Sequence, residues 1–341
     1  MREFDYVIVG GGSAGCVLAE RLTAIGRHSV LLLEAGPSDR RLWVRVPIGY
    51  GILFHQQAVN WMYNTDQEPH LDGREVYHPR GKVLGGSSSI NALVYHRGQA
   101  GDYDDWQVAG NDGWGYDQGA PVFDRLESPH PDSPDAPYLS VSDESADFHD
   151  LCDDFVGICA EGQLPADRTA RREGAGVGPY LTTTRKGMRC SSAVAFLWPA
   201  MHRPNLTVVT GAHVERIGFD GRRADSVTYR HRGASHTVRA GREILLAAGA
   251  IGSPQLLQVS GVGEADRASY RRYRASLERF AKALAPFWMK TMPALGSRRP
   301  GELLTFARLG LRLRRLGRED MLEFFRVATL PMRDLMDEYF E

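Results

Sequence analysis

Phe4-Asp5-Tyr6-Val7-Ile8-Val9-Gly10-Gly11-Gly12-Ser13-Ala14-Gly15 opens the chain and decides its architecture. Tyr6 to Val9 is a short apolar, β-branched run, the composition of a strand buried within a parallel sheet. It leads straight into GxGxxG at Gly10, Gly12 and Gly15, so the stretch reads as strand, tight turn and helix. Each glycine has its own task. Gly10 makes the turn, Gly12 lets backbone N–H groups approach a diphosphate, and Gly15 permits close helix packing. The phosphates would sit at the helix N-terminus, beside Ser13 and Ala14, where unpaired N–H groups and the helix dipole favour negative charge.

A glycine-rich turn alone is a weak signal, and its context strengthens it. Cys16 to Ile25 can form a helix, Gly26 can end it, and Ser29 to Leu33 is a second apolar strand closing on Glu34. A carboxylate there accepts hydrogen bonds from both ribose hydroxyls and repels the 2′-phosphate of NADP. The expected ligand is the ADP-ribose half of FAD or NAD. The competing reading is a Rossmann-like βαβ unit without a ligand.

The 341 residues suffice for two domains, and 43% hydrophobic content supplies real cores. Lys+Arg 41 against Asp+Glu 42, a net charge of -1, argues against a nucleic-acid partner. Cys16, Cys152, Cys159 and Cys190 have no zinc-ligand spacing, so no metal is expected. They read as reduced thiols used in packing, with Cys152 and Cys159 in the core on a helix from Asp147 to Glu161. The sequence has neither a signal-like start nor a long apolar span, and a soluble, cytoplasmic protein is expected.

A second unusual stretch is Gly81-Lys82-Val83-Leu84-Gly85-Gly86-Ser87-Ser88-Ser89-Ile90-Asn91-Ala92-Leu93-Val94-Tyr95-His96-Arg97-Gly98. Paired glycines and three serines between apolar runs suit a close backbone approach to a ligand better than a plain surface loop. A third is Gly249-Ala250-Ile251-Gly252-Ser253-Pro254-Gln255-Leu256-Leu257-Gln258-Val259-Ser260-Gly261-Val262-Gly263.

Together, in this order, the three stretches resemble the glucose-methanol-choline (GMC) oxidoreductases, above all the choline dehydrogenase-like and alcohol dehydrogenase-like branch. The resemblance covers residues 1 to about 263. It implies FAD, oxidation of an alcohol at the flavin, and FAD-binding and substrate domains. It also implies that Gly10, Gly12, Ser13, Ala14 and Gly15 hold the diphosphate and that Glu34 and Ala35 meet the adenosine ribose. Val83, Gly86, Ser87, Asn91, Ala92, Leu93 and Val94 would follow the ribityl chain and isoalloxazine. Val214 would meet the adenine through its backbone, and Ala248 and Gly249 would pass close to the cofactor. Packing alone also accounts for Val214, and a turn or backbone cap for Asn91. Covalently flavinylated members carry a histidine in the Gly-Gly-Ser region. Ser87 to Val94 contain none, so non-covalent FAD is implied. His96 and Arg97 read as structural.

Further strands are expected at Arg203–Thr210, His213–Ile217, Val227–His231, His236–Arg239 and Glu243–Ala250, with a hairpin-like turn at Gly221–Arg223. The expected fold class is α/β: a discontinuous Rossmann-like FAD-binding domain, a partial α+β substrate domain and a helical C-terminal tail. The expected divisions are 1–150 and 240–263 for the FAD domain, 151–239 for the partial substrate domain and returning strands, and 264–341 for the tail.

The tail differs in composition, with 16 Lys+Arg against 11 Asp+Glu in residues 264–341. Tyr270–Leu284 and Leu303–Leu316 are expected helices, the latter with Phe306, Leu309, Leu313 and Leu316 on one stripe. It faintly resembles a helical region of phytoene desaturase-like FAD oxidoreductases. Packing on its own protein is favoured for these helices over peripheral membrane contact. The family's closing segment carries a catalytic histidine, whereas here the last histidine is His236 and the last asparagine Asn205. No catalytic residue is therefore named. The expected function is FAD-dependent oxidation of a choline-like or other primary alcohol, with an unidentified electron acceptor. The alternatives are a non-catalytic FAD-binding remnant or chimera, and an NAD-dependent dehydrogenase.

Overall fold

The computed structural model describes residues 2–127, 129–130, 133–143, 149–162, 176–263, 311 and 314–315. The chain divides into two compact units, Met1–Ser260 and Gly261–Glu341. In the second, the expected helix Tyr270–Leu284 lies outside the described residues. So does most of Leu303–Leu316, of which Leu311, Arg314 and Arg315 are helical.

The first unit is built on a six-stranded sheet. Its strands are β1 (Arg2–Val9), β2 (Val30–Glu34), β3 (Leu206–Thr210), β4 (Ala212–Asp220), β5 (Arg223–His231) and β6 (Ala234–Leu246). In space the order is β3-β2-β1-β6-β5-β4. The first four are parallel neighbours, and β6-β5-β4 is an antiparallel meander. The helices used below are α1 (Ser13–Thr23), α2 (Ala100–Val108), α3 (Tyr116–Glu127), α4 (Asp150–Glu161) and α5 (Gly249–Val259).

The alternation of side chains in β1 and β2 explains why both strands read as continuous apolar runs. Ile8, Val30 and Leu32 pack on one face with Cys16 and Ala19 of α1 and with Ala193 to Leu197. Val7, Val9, Leu31 and Leu33 pack on the other with Ile217, Val227, Val238 and Leu256. The sheet is covered on both faces, and each such side chain contributes roughly 1.5–3 kcal/mol on burial. α1 starts at Ser13 and ends at Thr23, earlier at both ends than the expected Cys16–Ile25, and Gly26 follows in the left-handed region at φ 68°.

Two expectations are corrected here. His236–Arg239 and Glu243–Ala250 are not separate strands: β6 is one strand from Ala234 to Leu246. Its pairing with β1 shifts register between Phe4 and Tyr6, opposite Ala240 to Glu243, so a local irregularity takes the place of a break. The strand thus crosses the expected division at residues 239 and 240. Cys152 and Cys159 are not core residues. Cys152 is exposed and Cys159 half-buried on α4, whose Leu151, Phe155 and Ile158 are exposed as well. The other two cysteines, Cys16 and Cys190, are buried as expected.

Candidate cofactor site

The C-terminal ends of β1, β2 and β6 meet the Gly81–Gly98 stretch around the start of α1. Backbone hydrogen bonds join the four segments. Gly10 N–H donates to Leu33 O (2.9 Å), Ala247 N–H to Val9 O (2.8 Å), Gly85 N–H to Gly11 O (2.7 Å) and Leu84 N–H to Pro37 O (3.1 Å). Gly10 needs its positive φ of 101°, and a Cβ there would lie 2.5 Å from Ala247 O. Gly86 abuts the Gly10–Gly15 turn itself, because a Cβ on it would come within 2.8 Å of Gly12 Cα. Loop packing by itself thus accounts for glycine at 86, where room for a ligand was expected: two loops touch there through hydrogen alone.

The start of α1 is open to a ligand. Its N-cap, Gly12, has no side chain to cap with, the first helical bond is Cys16 N–H to Gly12 O (3.0 Å), and Ser13 and Ala14 are exposed. The N–H groups of the first turn have no protein partner among the described residues, so this end offers donors and a positive dipole to an anion.

Glu34 ends β2 beneath this turn, 6% exposed. Its Oε2 accepts from Gly11 N–H and its Oε1 from Gly36 N–H, each at 2.8 Å. Burial raises the carboxyl pKa to about 7, against the lowering effect of the two N–H donors and Lys82. A pair of hydroxyl donors would relieve that desolvation, as a carboxylate oxygen can accept a second bond. Beside it a cavity of about 740 Å³ is lined by Ala35, Gly36, Pro37, Lys82, Thr210 and Gly211, among others. Free donors at the helix start and an acid one strand away suit a ribose diphosphate.

The remaining expected site residues have different environments. Val83 is fully buried with Val44, Leu53, Val59 and Ile90, so only its backbone can face a ligand. Gly86 to Ser89 form a single 3-10 turn, with Ser87 exposed and its hydroxyl accepting from Gly81 N–H (3.1 Å). Asn91 is half-buried, Ala92 and Val94 are exposed, and Leu93 is buried in the left-handed region at φ 66°. Ala248 caps α5, and exposed Gly249 has φ 81° with open space where a Cβ would be. Val214 sits on β4, at an irregularity between Val214 and Arg216, paired with Tyr229 and packed against the second core. His96 and Arg97, expected to be structural, make local contacts. Arg97 bridges Glu127 (2.5 Å) and Asp124 (2.8 Å) on α3, and His96 Nδ1 accepts from Gly98 N–H (2.9 Å).

Sequence reasoning missed Arg189. The structure buries it to 1% exposure against the Gly81–Gly98 stretch. Among the described residues, no group of three or more His, Cys, Asp or Glu could hold a metal ion. No helix there is long and apolar enough to cross a membrane.

A family model described as GMC oxidoreductase matches residues 4–298, past the Gly263 at which the resemblance was expected to stop. An oxygen-dependent choline dehydrogenase of Photobacterium profundum is 41% identical over 266 residues, 76% of this chain and 47% of that protein. An alcohol dehydrogenase [acceptor] of Pseudomonas putida is 41% identical over 77% of this chain and 49% of its own length. Among solved structures, pyridoxine 4-oxidase from Mesorbium loti superposes with a TM-score of 0.68 at 33% identity, over 76% of this chain and 52% of that one. An FAD-dependent oxidoreductase from Chaetomium thermophilum gives a TM-score of 0.67 at 29% identity, over 76% of this chain and 48% of that one. The chain thus spans about half the length of the curated relatives it matches.

Proposed function

The chain belongs to the GMC oxidoreductase family, and from that premise we propose that its site holds non-covalent FAD and serves the oxidation of a CH–OH group. The substrate class is a small alcohol, choline-like or another primary alcohol, in line with the names of the relatives. One observation carries the cofactor reading: the uncapped start of α1 lies directly over a buried carboxylate that has room to accept more bonds.

On this reading Gly10, Gly12, Ser13, Ala14 and Gly15 bind the diphosphate through backbone N–H groups. Glu34 and Ala35 hold the adenosine ribose. Val214, Ala248 and Gly249 line the cofactor by backbone, as do Val83 and Gly86. Ser87 and Asn91 to Val94 lie along the ribityl chain and ring. Bound FAD supplies the hydride acceptor for the alcohol carbon; the chain's own contribution is to bind, orient and screen from water. Division into a discontinuous cofactor part and a partial substrate part belongs to the same proposal. All four cysteines are free thiols, which supports work in the reducing cytoplasm.

The test is an absorbance spectrum of the purified 341-residue chain before and after reconstitution with FAD. Anaerobic addition of alcohols, choline among them, follows. Flavin bands that bleach with an alcohol support the full proposal. A chain that takes up FAD but stays oxidised with every alcohol refutes the activity. Failure to take up FAD refutes the site assignment.

A further inference from the structure

Arg189 is the bulkiest fully buried side chain among the described residues. Nε donates to Val44 O (3.0 Å), and Nη1 donates to Asn91 Oδ1 (2.7 Å) and to Ser88 O (3.3 Å). All three acceptors are uncharged, and Nη2 has no hydrogen-bond partner among the described residues. Burial, helped by the nearby Arg45, lowers the guanidinium pKa to about 10. A guanidinium held this way is costly to the fold, and an apolar side chain of similar volume would pack there more cheaply. Its position calls for a reason beyond packing.

That reason lies in what it does to Asn91. Asn91 Oδ1 accepts from Arg189 Nη1 and also from Leu93 N–H (3.2 Å). Both neighbours are donors, so the atom between them must be the carbonyl oxygen and the amide cannot flip. Nδ2 makes no hydrogen bond to a described residue and is the group Asn91 has left to offer. The loop around it is pinned from the same segment. Ser192 N–H donates to Ser88 Oγ (3.0 Å), and Thr183 N–H donates to Leu93 O (2.8 Å).

We propose that Arg189 is a positioning residue that fixes the Asn91 amide so that its NH2 group, not its carbonyl, is presented to the bound flavin as a donor. The proposal rests on the FAD assignment above and adds the orientation of one donor and the residue that sets it.

The experiment titrates the full chain with FAD, following flavin fluorescence and the visible absorbance bands. It compares wild type, N91A, R189M and the double variant N91A/R189M. Each single change should weaken FAD binding on the order of tenfold, the loss of one charge-assisted hydrogen bond or of the donor it orients. Both should move the visible bands the same way. The double variant should bind no more weakly than the poorer single one, because both changes remove the same contact. Wild-type affinity in R189M, or losses that multiply in the double variant, would overturn the proposal. If R189M fails to fold, R189K keeps the charge but one ammonium cannot reach the three acceptors, and it is judged by the same criteria. If wild type binds no FAD, the cofactor assignment fails, and the clamp is judged in the ligand-free chain by hydrogen exchange at the Leu93 amide. Faster exchange in R189K then supports the clamp, and unchanged exchange overturns it.

Discussion

Replacing Glu34 with glutamine should change how stability depends on pH, and the structure fixes the sign. The carboxyl pKa lies near 7 in the folded chain against an ordinary 4.5, because burial disfavours the charge. Between those values the native state keeps a proton that the unfolded chain has released. Wild-type stability therefore falls as pH rises through this window, by at most about 1.4 kcal/mol per pH unit and on the order of 3 kcal/mol in all. Glutamine carries no charge and removes this dependence. It also has one carbonyl oxygen where Glu34 meets two N–H donors, so either Gly11 or Gly36 would face an amide NH2. Leaving that donor unpaired costs roughly 1–3 kcal/mol. E34Q should be less stable than wild type at pH 5, with the gap narrowing toward pH 8. Urea unfolding of the ligand-free chain at pH 5, 6, 7 and 8 measures both slopes. In parallel, FAD affinity of wild type should rise over this range as the ribose hydroxyls gain a carboxylate acceptor, and E34Q should bind weakly and evenly. A pH slope unchanged by E34Q, or a gap that widens with pH, would refute the reasoning.

The glycines of the turn should separate folding from binding. A Cβ at Gly15 would lie 1.9 Å from Gly10 O, whereas at Gly12 the nearest atom is 3.8 Å away. G15A should thus lose about 1–3 kcal/mol of stability with no ligand present, while G12A should melt like wild type and bind FAD at least tenfold more weakly. Thermal melts and FAD titration read the two effects. Thiol labelling of the native chain followed by mass mapping should modify exposed Cys152 and spare Cys16 and Cys190, since burial also holds the Cys16 thiol in its protonated form. Arg97 ties the end of the Gly81–Gly98 stretch to α3 through partly buried Glu127. R97A should lower the melting temperature by a few degrees, about 1–2 kcal/mol, and push the Tyr95 phenol pKa further up, because burial and Glu127 already raise it and Arg97 is the group that holds it down.

The order β1, turn, α1, β2, Glu34 was legible because each step is local: an apolar run, glycines at fixed offsets, a second apolar run and an acid. What was not legible depends on distant partners. Arg239, Gly241 and Arg242 interrupt the apolar pattern of β6 and suggested two strands, yet β1 and β5 hold it together as one. The periodicity of α4 marks one apolar face without saying whether anything covers it, and Cys152 lies on the exposed side. Arg189 left the least trace. Its acceptors Asn91, Ser88 and Val44 lie 98, 101 and 145 residues away in sequence, and a single arginine carries no local mark of burial.

The positions that local rules leave unsatisfied in the folded chain have something in common. A helix of eleven residues begins without a cap although its first N–H groups need acceptors. A carboxylate is buried with two donors where its charge would prefer more. Gly12 and Gly249 have space for a side chain that is missing. Asn91 has its oxygen engaged by two donors, and its NH2 group makes no hydrogen bond to a described residue. Each alone has an ordinary explanation. On the proposed cofactor reading they would lie along one ligand, and they ask for different things: an anion, a pair of hydroxyl donors, close backbone approach and a hydrogen-bond acceptor. A free phosphate would meet only the first and an adenine nucleoside only the second, whereas a flavin dinucleotide meets all four along a single molecule. The strain of leaving them unmet therefore argues for that ligand more strongly than the glycine motif does by itself.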